Sequence, residues 1–272
     1  MLYGLQSGCI VWKQLRDTNA VCYDKTQNSA RKSVSGTKGA RMSQEAFVME
    51  PVAHIRSDFS EKFGIPRQSG LIESLTARIV LTPECRDPEI LRGIEDYDYL
   101  WLVWRFSANK HTAWHPTVRP PRLGGNTRMG VFATRSPFRP NPLGLSCVKL
   151  VGVDWDTPEG PVLKVAGADL LDGTPIYDIK PYLPYVDSHP DARGGFGAQK
   201  LDYALTVECP DALLEKLPAE KRQSALDVLA QDPRPAYQDD PQRVYGLSFA
   251  GYDIKFTVAE KVLTVIDITT QQ

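Results

Sequence analysis

Two stretches of the chain hold residue types whose spacing suits chemistry. RPPRLGGN (119–126) and TRSPFRPNPLG (134–144) set arginines among prolines and glycines. Proline fixes φ and removes a donor, while glycine lets backbone approach a ligand closely. Loops of this kind are stiff and irregular, and they hold guanidinium forks in place, so less entropy is lost per bidentate contact with an anion. Rigid loops on a scaffold usually carry function, although stiff surface turns share the composition. The second stretch, DLLDGTPIYDIKPYLPYVDS (169–188), mixes Asp169, Asp172, Asp178, Lys180 and Asp187 with Tyr177, Tyr182 and Tyr185. Acids beside aromatics suit a nucleoside pocket, where a carboxylate takes ribose hydroxyls and a ring stacks on the base. They equally suit a hard-cation site, or a plain turn at Asp172-Gly173 with paired surface charges.

Several familiar chemistries are missing. His111 and His115 in HTAWH have zinc-helix spacing, but Thr112 stands where a glutamate would act and Pro116 follows directly. No phosphate-binding Walker loop and no GxSxG occurs, and GGNTRMG (124–130) lacks dinucleotide spacing, which disfavours a Rossmann cofactor site. No metal is expected.

The arginine loops lie inside a wider charge segregation. Net charge is −1 over 272 residues, yet the 55 residues between Asp98 and Asp154 contain no acid. That stretch holds Arg105, Lys110, Arg119, Arg122, Arg128, Arg135, Arg139 and Lys149, a net +8 against −9 for the remainder. Basic side chains gathered in this way neutralise phosphates and release counterions, so the distribution points to a polyanion that the total conceals.

Five scattered cysteines without a CxxC pair fit a reducing, cytoplasmic setting better than a disulfide framework. No apolar run reaches the roughly 18 residues of a membrane-spanning helix. Residues 25–44 carry five basic residues and no acid among Ser, Gly and Thr. Residues 1–45 therefore read as a flexible extension, with Met42 or Met49 as a candidate internal start.

The elements that must position these residues read mostly as strands: 52–57, 77–82, 99–106, 129–134, 146–153 and 162–168. Each is a short run rich in β-branched and aromatic residues between turn signals. A short helix is expected near 87–93. After the glycine-rich SHPDARGGFGAQ (188–199) come a strand at 201–208, helices at 211–217 and 220–231, and strands at 245–251, 252–259 and 261–268. Without long helices between the early strands, a doubly wound sheet is disfavoured. The expected fold class is mainly β: a small antiparallel β-barrel over residues 46–195, followed by a small α+β unit over 196–272.

RPPRLGGNTRMGVFATRSPFRPNPLGLS (119–146) and the 169–188 stretch together resemble the TsaA-like family of tRNA (adenine-N6)-methyltransferases. These act on N6-threonylcarbamoyladenosine next to the anticodon. The likeness begins near residue 51, includes FGIPRQSG (63–70) and extends into VLAQDPRPAY (228–237). The resemblance implies a non-Rossmann β-barrel that binds S-adenosylmethionine, and a homodimer. By motif, it places cofactor contacts on Pro66, Arg67 and Gln68, on Arg135, on Leu145 in a GLS turn, and on Asp169, Leu170, Leu171 and Asp172. After the aromatic strand, where relatives often carry His and a polar residue, this chain has Ser107 and Ala108, with Asn109 next. A cofactor contact is expected at Ser107, weakened, or made by backbone or by a neighbouring residue such as Asn109.

Methyl transfer to an exocyclic adenine nitrogen requires an aligned nucleophile and somewhere for its proton to go. Asp178 or Tyr177, beside the cofactor motif, is the expected proton acceptor, with Asn141 as an orienting amide. Arg119, Arg122, Arg128 and Arg139 are expected to hold tRNA anticodon-loop phosphates. Two other readings stand beside this one: a non-catalytic RNA-binding module, and a metal-dependent hydrolase using the acids of 169–187.

Overall fold

A computed structural model describes residues 48–109, 114–120, 123, 126–198, 203–234 and 240–271. The expected extension over residues 1–45 lies outside them, as do Arg122, His111 and residues 235–237. In the first half the strands are β1 (Ala53–Arg56), β2 (Thr76–Leu81), β3 (Tyr99–Arg105), β4 (Thr117–Val118), β5 (Met129–Gly130), β6 (Leu143–Asp154), β7 (Val162–Ala166) and β8 (Pro175–Pro181). Their alternation sets the inward face. In β3, Leu100, Leu102 and Trp104 are buried while Tyr99 and Arg105 meet solvent. Between β3 and β6 the chain leaves the sheet for a long excursion that carries the β4–β5 ribbon and the arginine loops.

After the short helix α1 (Pro184–Asp187), the second half runs β9 (Thr206–Glu208), α2 (Asp211–Leu214), α3 (Ala219–Ala230), β10 (Tyr245–Phe249), β11 (Tyr252–Ala259) and β12 (Val262–Thr270). Its sheet has the order β10-β11-β12-β9, with β9 parallel to β12. Among the described residues no helix is long and apolar enough to cross a membrane.

The expected fold class, mainly β on a small antiparallel barrel, is corrected to a mixed α/β fold. Helix α3 is part of the packing: its Ala225, Val228 and Leu229 enter the core of the second sheet. The first sheet follows the order β1-β2-β7-β6-β3-β8, and β8 returns to β1 through only two ladder pairs, Ala53 with Ile176 and His54 with Pro175. Pro175 has no N–H to donate to that ladder. The sheet runs round on itself to this short seam, which backbone hydrogen bonds from Val52 N to Ile176 O and from Ile55 N to Thr174 O extend.

Other elements also differ from expectation. The strand expected at 129–134 is two residues of β5 followed by a 3-10 turn, Val131–Ala133. The helix expected at 87–93 is a 3-10 turn at Pro88–Leu91. The strand β8 lies inside the 169–188 stretch, where prolines at both ends and charged residues within mask the apolar alternation.

The two sheets have separate cores, but the second takes Phe59, Ile72 and Leu75 from the first half. The segment between them is fastened to α3. Lys221 Nζ meets Asp58 Oδ2 at 2.6 Å with both side chains largely buried, and Ser224 Oγ donates to Ser74 O at 3.0 Å. Gly64 sits at φ +86°, and a Cβ there would lie 2.1 Å from the Cδ1 of the fully buried Leu247. Gly64→Ala is expected to destabilise the chain by roughly 1–3 kcal/mol, since neither the backbone nor the packed leucine can yield freely. Urea denaturation followed by circular dichroism checks this, and an unchanged midpoint counts against it.

Candidate functional site

The site is built where β3 and β6 pair. Trp104 stands opposite Gly144 in the register, and the indole lies so close that a Cβ on Gly144 would be 2.2 Å from its ring. Glycine inside a strand marks such close approach. The indole Nε1–H donates to Ser146 Oγ at 2.9 Å, and the Ser146 hydroxyl donates to Asp169 Oδ1 at 2.6 Å. Phe106 meets Trp104 edge-on, with ring centroids 4.3 Å apart. Burial pushes the Asp169 carboxyl above the usual carboxylate range. Hydrogen bonds from Ser146 and from main chain at Asp169 and Ser69, with the charge of Arg135, pull it back down.

These residues open into a cavity of about 760 Å³. The motif segment Pro66–Gln68 forms one wall, and Arg135 reaches over to donate to Gln68 Oε1. A larger cavity of about 1510 Å³ adjoins it and shares Pro66, Arg67, Gln68, Arg135, Pro137 and Phe138 as a partition. Its far wall is Gln231–Arg234, just after α3. There the Arg234 guanidinium grips Asp232 with two hydrogen bonds, at 2.8 and 3.0 Å, and Tyr203 Oη donates to the same carboxylate at 3.0 Å.

Of the residues singled out from sequence, the structure brings Pro66, Arg67, Gln68, Ser107, Arg135, Asn141, Leu145, Asp169 and Leu171 to the smaller cavity. Leu145 reaches it from within β6, not from the GLS turn expected there. Two members of the DLLD run do not line it. Leu170 is fully buried in the core of the first sheet, and Asp172 accepts from Ser57 N at 3.0 Å and pairs with Arg56. Tyr177 and Asp178 line neither cavity. Tyr177 falls at the irregularity between β3 and β8, and Asp178 pairs with Lys180 at 2.8 Å on the outward face. Arg119 and Arg128 line the larger cavity. Arg139 lines the smaller one, where it donates to Thr134 O.

The acids of 169–187 do not converge, and among the described residues no group of three metal-ligating side chains forms. Asp187 instead accepts from Leu183 N and from Trp101 Nε1, which hold its carboxyl below the usual range. Sequence reading missed Trp104, Phe106, Gly144 and Ser146 as site residues. The available signal was the lone glycine in PLGLS two residues before a serine, inside an otherwise apolar strand.

The donor set suits S-adenosylmethionine, the cofactor expected from the resemblance. Trp104 and Phe106 offer rings for an adenine, and Asp169 offers a buried carboxylate for a cationic or hydroxyl-bearing group. The volume lies in the ordinary range of small-ligand cavities.

Comparisons with known proteins bear on the chain as a whole. Residues 54–188 match the tRNA-methyltransferase O N-terminal domain, and residues 202–271 match the TrmO C-terminal domain. A tRNA (adenine(37)-N6)-methyltransferase of Escherichia coli K12 is 41% identical over 79% of this chain and 94% of its own length. A Pseudomonas aeruginosa protein described as a putative S-adenosylmethionine-dependent methyltransferase, RcsF, is 40% identical over 76% of this chain and 90% of its own. A crystal structure of TrmO from Pseudomonas aeruginosa superposes with a TM-score of 0.66 at 32% identity, covering 83% of this chain and all of that one.

Removing the Ser146 hydroxyl takes away a hydrogen bond that favours the charged form of Asp169, so the carboxyl of Ser146→Ala titrates at higher pH than in the wild type. A cationic ligand needs that carboxylate ionised. The acid limb of S-adenosylmethionine binding is therefore expected to move to higher pH in Ser146→Ala, with wild-type affinity recovered above it. Calorimetric titration across pH checks this, and a uniform loss at every pH counts against it.

Proposed function

We infer the function from the family to which the chain belongs, the tRNA-methyltransferase O family. The chain is an S-adenosylmethionine-dependent tRNA methyltransferase that methylates N6 of threonylcarbamoyladenosine next to the anticodon. The observation that carries this is the match of both family domains, in order, together with 41% identity over nearly the whole length of the E. coli enzyme. When bound, S-adenosylmethionine would supply an electrophilic methyl group for N6, and the proton that N6 loses would pass to solvent water.

In this reading the chain's own residues act chiefly by positioning. Trp104 and Phe106 take the cofactor's adenine, and Asp169, held by Ser146, takes a polar group of the same molecule. Arg135 and Gln68 stand on the partition between the two cavities, where the methyl donor and the modified nucleotide meet. Asn141 lines the smaller cavity and orients the accepting base through its amide. The placement of Asp178, outside both cavities and paired with Lys180, gives a proton-acceptor role no support within a single chain. Arg119 and Arg128 on the larger cavity hold backbone phosphates, which suits the acid-free stretch in which they occur.

The same reading includes a homodimer. The outward face of β6, with the segment after β8, exposes Leu145, Val151, Tyr185 and Val186, a set of apolar side chains that a second copy would cover. Sedimentation equilibrium is expected to give twice the chain mass, and a single-chain mass at micromolar concentration counts against the dimer.

The function is tested by mass spectrometry of tRNA nucleosides after incubation with methyl-labelled S-adenosylmethionine. One labelled methyl is expected on threonylcarbamoyladenosine, none on tRNA lacking the threonylcarbamoyl group. Binding of tRNA without label transfer would favour the RNA-binding module instead.

A further inference from the structure

Phe132 is 78% exposed on the wall of the larger cavity, leaving most of its apolar surface in water. The ring is presented by a stiff support. Val131, its neighbour, is buried at 3% exposure, and Val131 N donates to Pro116 O at 2.9 Å. Thr134 closes the 3-10 turn by donating to Val131 O from both its amide, at 3.2 Å, and its hydroxyl, at 2.9 Å. The turn thus fixes the backbone under a largely exposed ring.

The surroundings indicate what covers the ring. Arg67, Arg119, Arg128 and Arg135 line the same cavity, and Phe138, 43% exposed, stands on the partition toward the smaller cavity. The only acid of this cavity's lining among the described residues is Asp232, whose carboxylate is already taken by Arg234 and Tyr203. Exposed rings among guanidinium groups, with no unpaired carboxylate among the described lining residues, match the needs of unpaired nucleotides: bases stack on the rings and phosphates take the arginines.

We propose that Phe132 is a stacking platform for an unpaired base of the anticodon loop, with Phe138 as a second ring nearer the methyl-transfer cavity. The proposal rests on the tRNA methyltransferase reading and adds a base-binding subsite to it. The wall Gln231–Arg234 closes the far side, so the two halves of the chain hold the loop between them.

The test measures affinity of the full chain for an anticodon stem-loop RNA and for a duplex of the same stem without the loop. Phe132→Ala is expected to weaken stem-loop binding by about 10-fold or more and to raise KM for tRNA, with S-adenosylmethionine affinity unchanged. Phe132→Trp is expected to bind as the wild type does, and duplex affinity is expected to be equal in all three. The salt dependence of Phe132→Ala is expected to keep its slope, whereas Arg128→Ala flattens it by about one unit of log–log slope. Wild-type stem-loop affinity in Phe132→Ala overturns the proposal, as does an equal loss on the duplex. A change of oligomeric state in Phe132→Ala without loss of RNA affinity also overturns it, since the ring is then covered by a second copy. Failure of the wild-type chain to methylate tRNA at all would instead sink the functional reading beneath it.

Discussion

The packing of Trp104 against Gly144 is the constraint on which the site depends. An indole fits across the β3–β6 ladder only because the residue opposite has no side chain, and a single Cβ there would overlap the ring. With the indole in place, its N–H needs an acceptor, since an unpaired buried donor costs on the order of 1–3 kcal/mol. Ser146 supplies that acceptor and passes its own proton toward Asp169. One close approach therefore sets the position of a ring, a hydroxyl and a carboxylate, and each limits where a ligand fits in the smaller cavity.

The second organising feature is the fastening of the first half's Asp58–Leu75 segment to the second. Phe59, Ile72 and Leu75 belong to the second core, and Lys221 and Ser224 of α3 reach back to Asp58 and Ser74. A pair as shielded as Lys221–Asp58 is screened less by salt than a surface bridge, and breaking it would leave a charge poorly solvated. The PRQ motif lies within this fastened segment, so the C-terminal half supports the cofactor cavity without lining it. The same half closes the far side of the larger cavity at Gln231–Arg234.

Charge distribution joins these features to the substrate. A net charge of −1 conceals a +8 stretch that coincides with the chain from β3 to β6, and therefore with the excursion between those strands. The sheet holds the two ends of the excursion close together by pairing β3 with β6, so its positive loops stand over the cofactor cavity at the strand ends. In the proposed reading, attraction of an RNA loop and the chemistry on its base fall to these adjoining cavities.

Much of this was legible in the amino-acid sequence, because the signals were local. Most strands and the helices α2 and α3 were readable from periodicity and turn residues, and the arginine loops from their Pro and Gly content. The PRQ, ATRS and DLLD motifs identified six residues of the smaller cavity's lining: Pro66, Arg67, Gln68, Arg135, Asp169 and Leu171. Where a decision depended on partners far along the chain, the sequence was silent. The strand β8 was hidden by its prolines and charges, and only pairing with β3 and β1 makes it a strand. Asp169 and Asp172 look equivalent three residues apart, yet one faces the cavity and the other caps a turn with Ser57. Asp178 looked catalytic beside the motif, but strand register turns it outward to Lys180. The sequence by itself determined which chemistry the chain carries, through residue types held at short range. Only the tertiary structure decided which of those residues meet, because side-chain direction follows from cross-strand register and packing between distant segments, which no local pattern encodes.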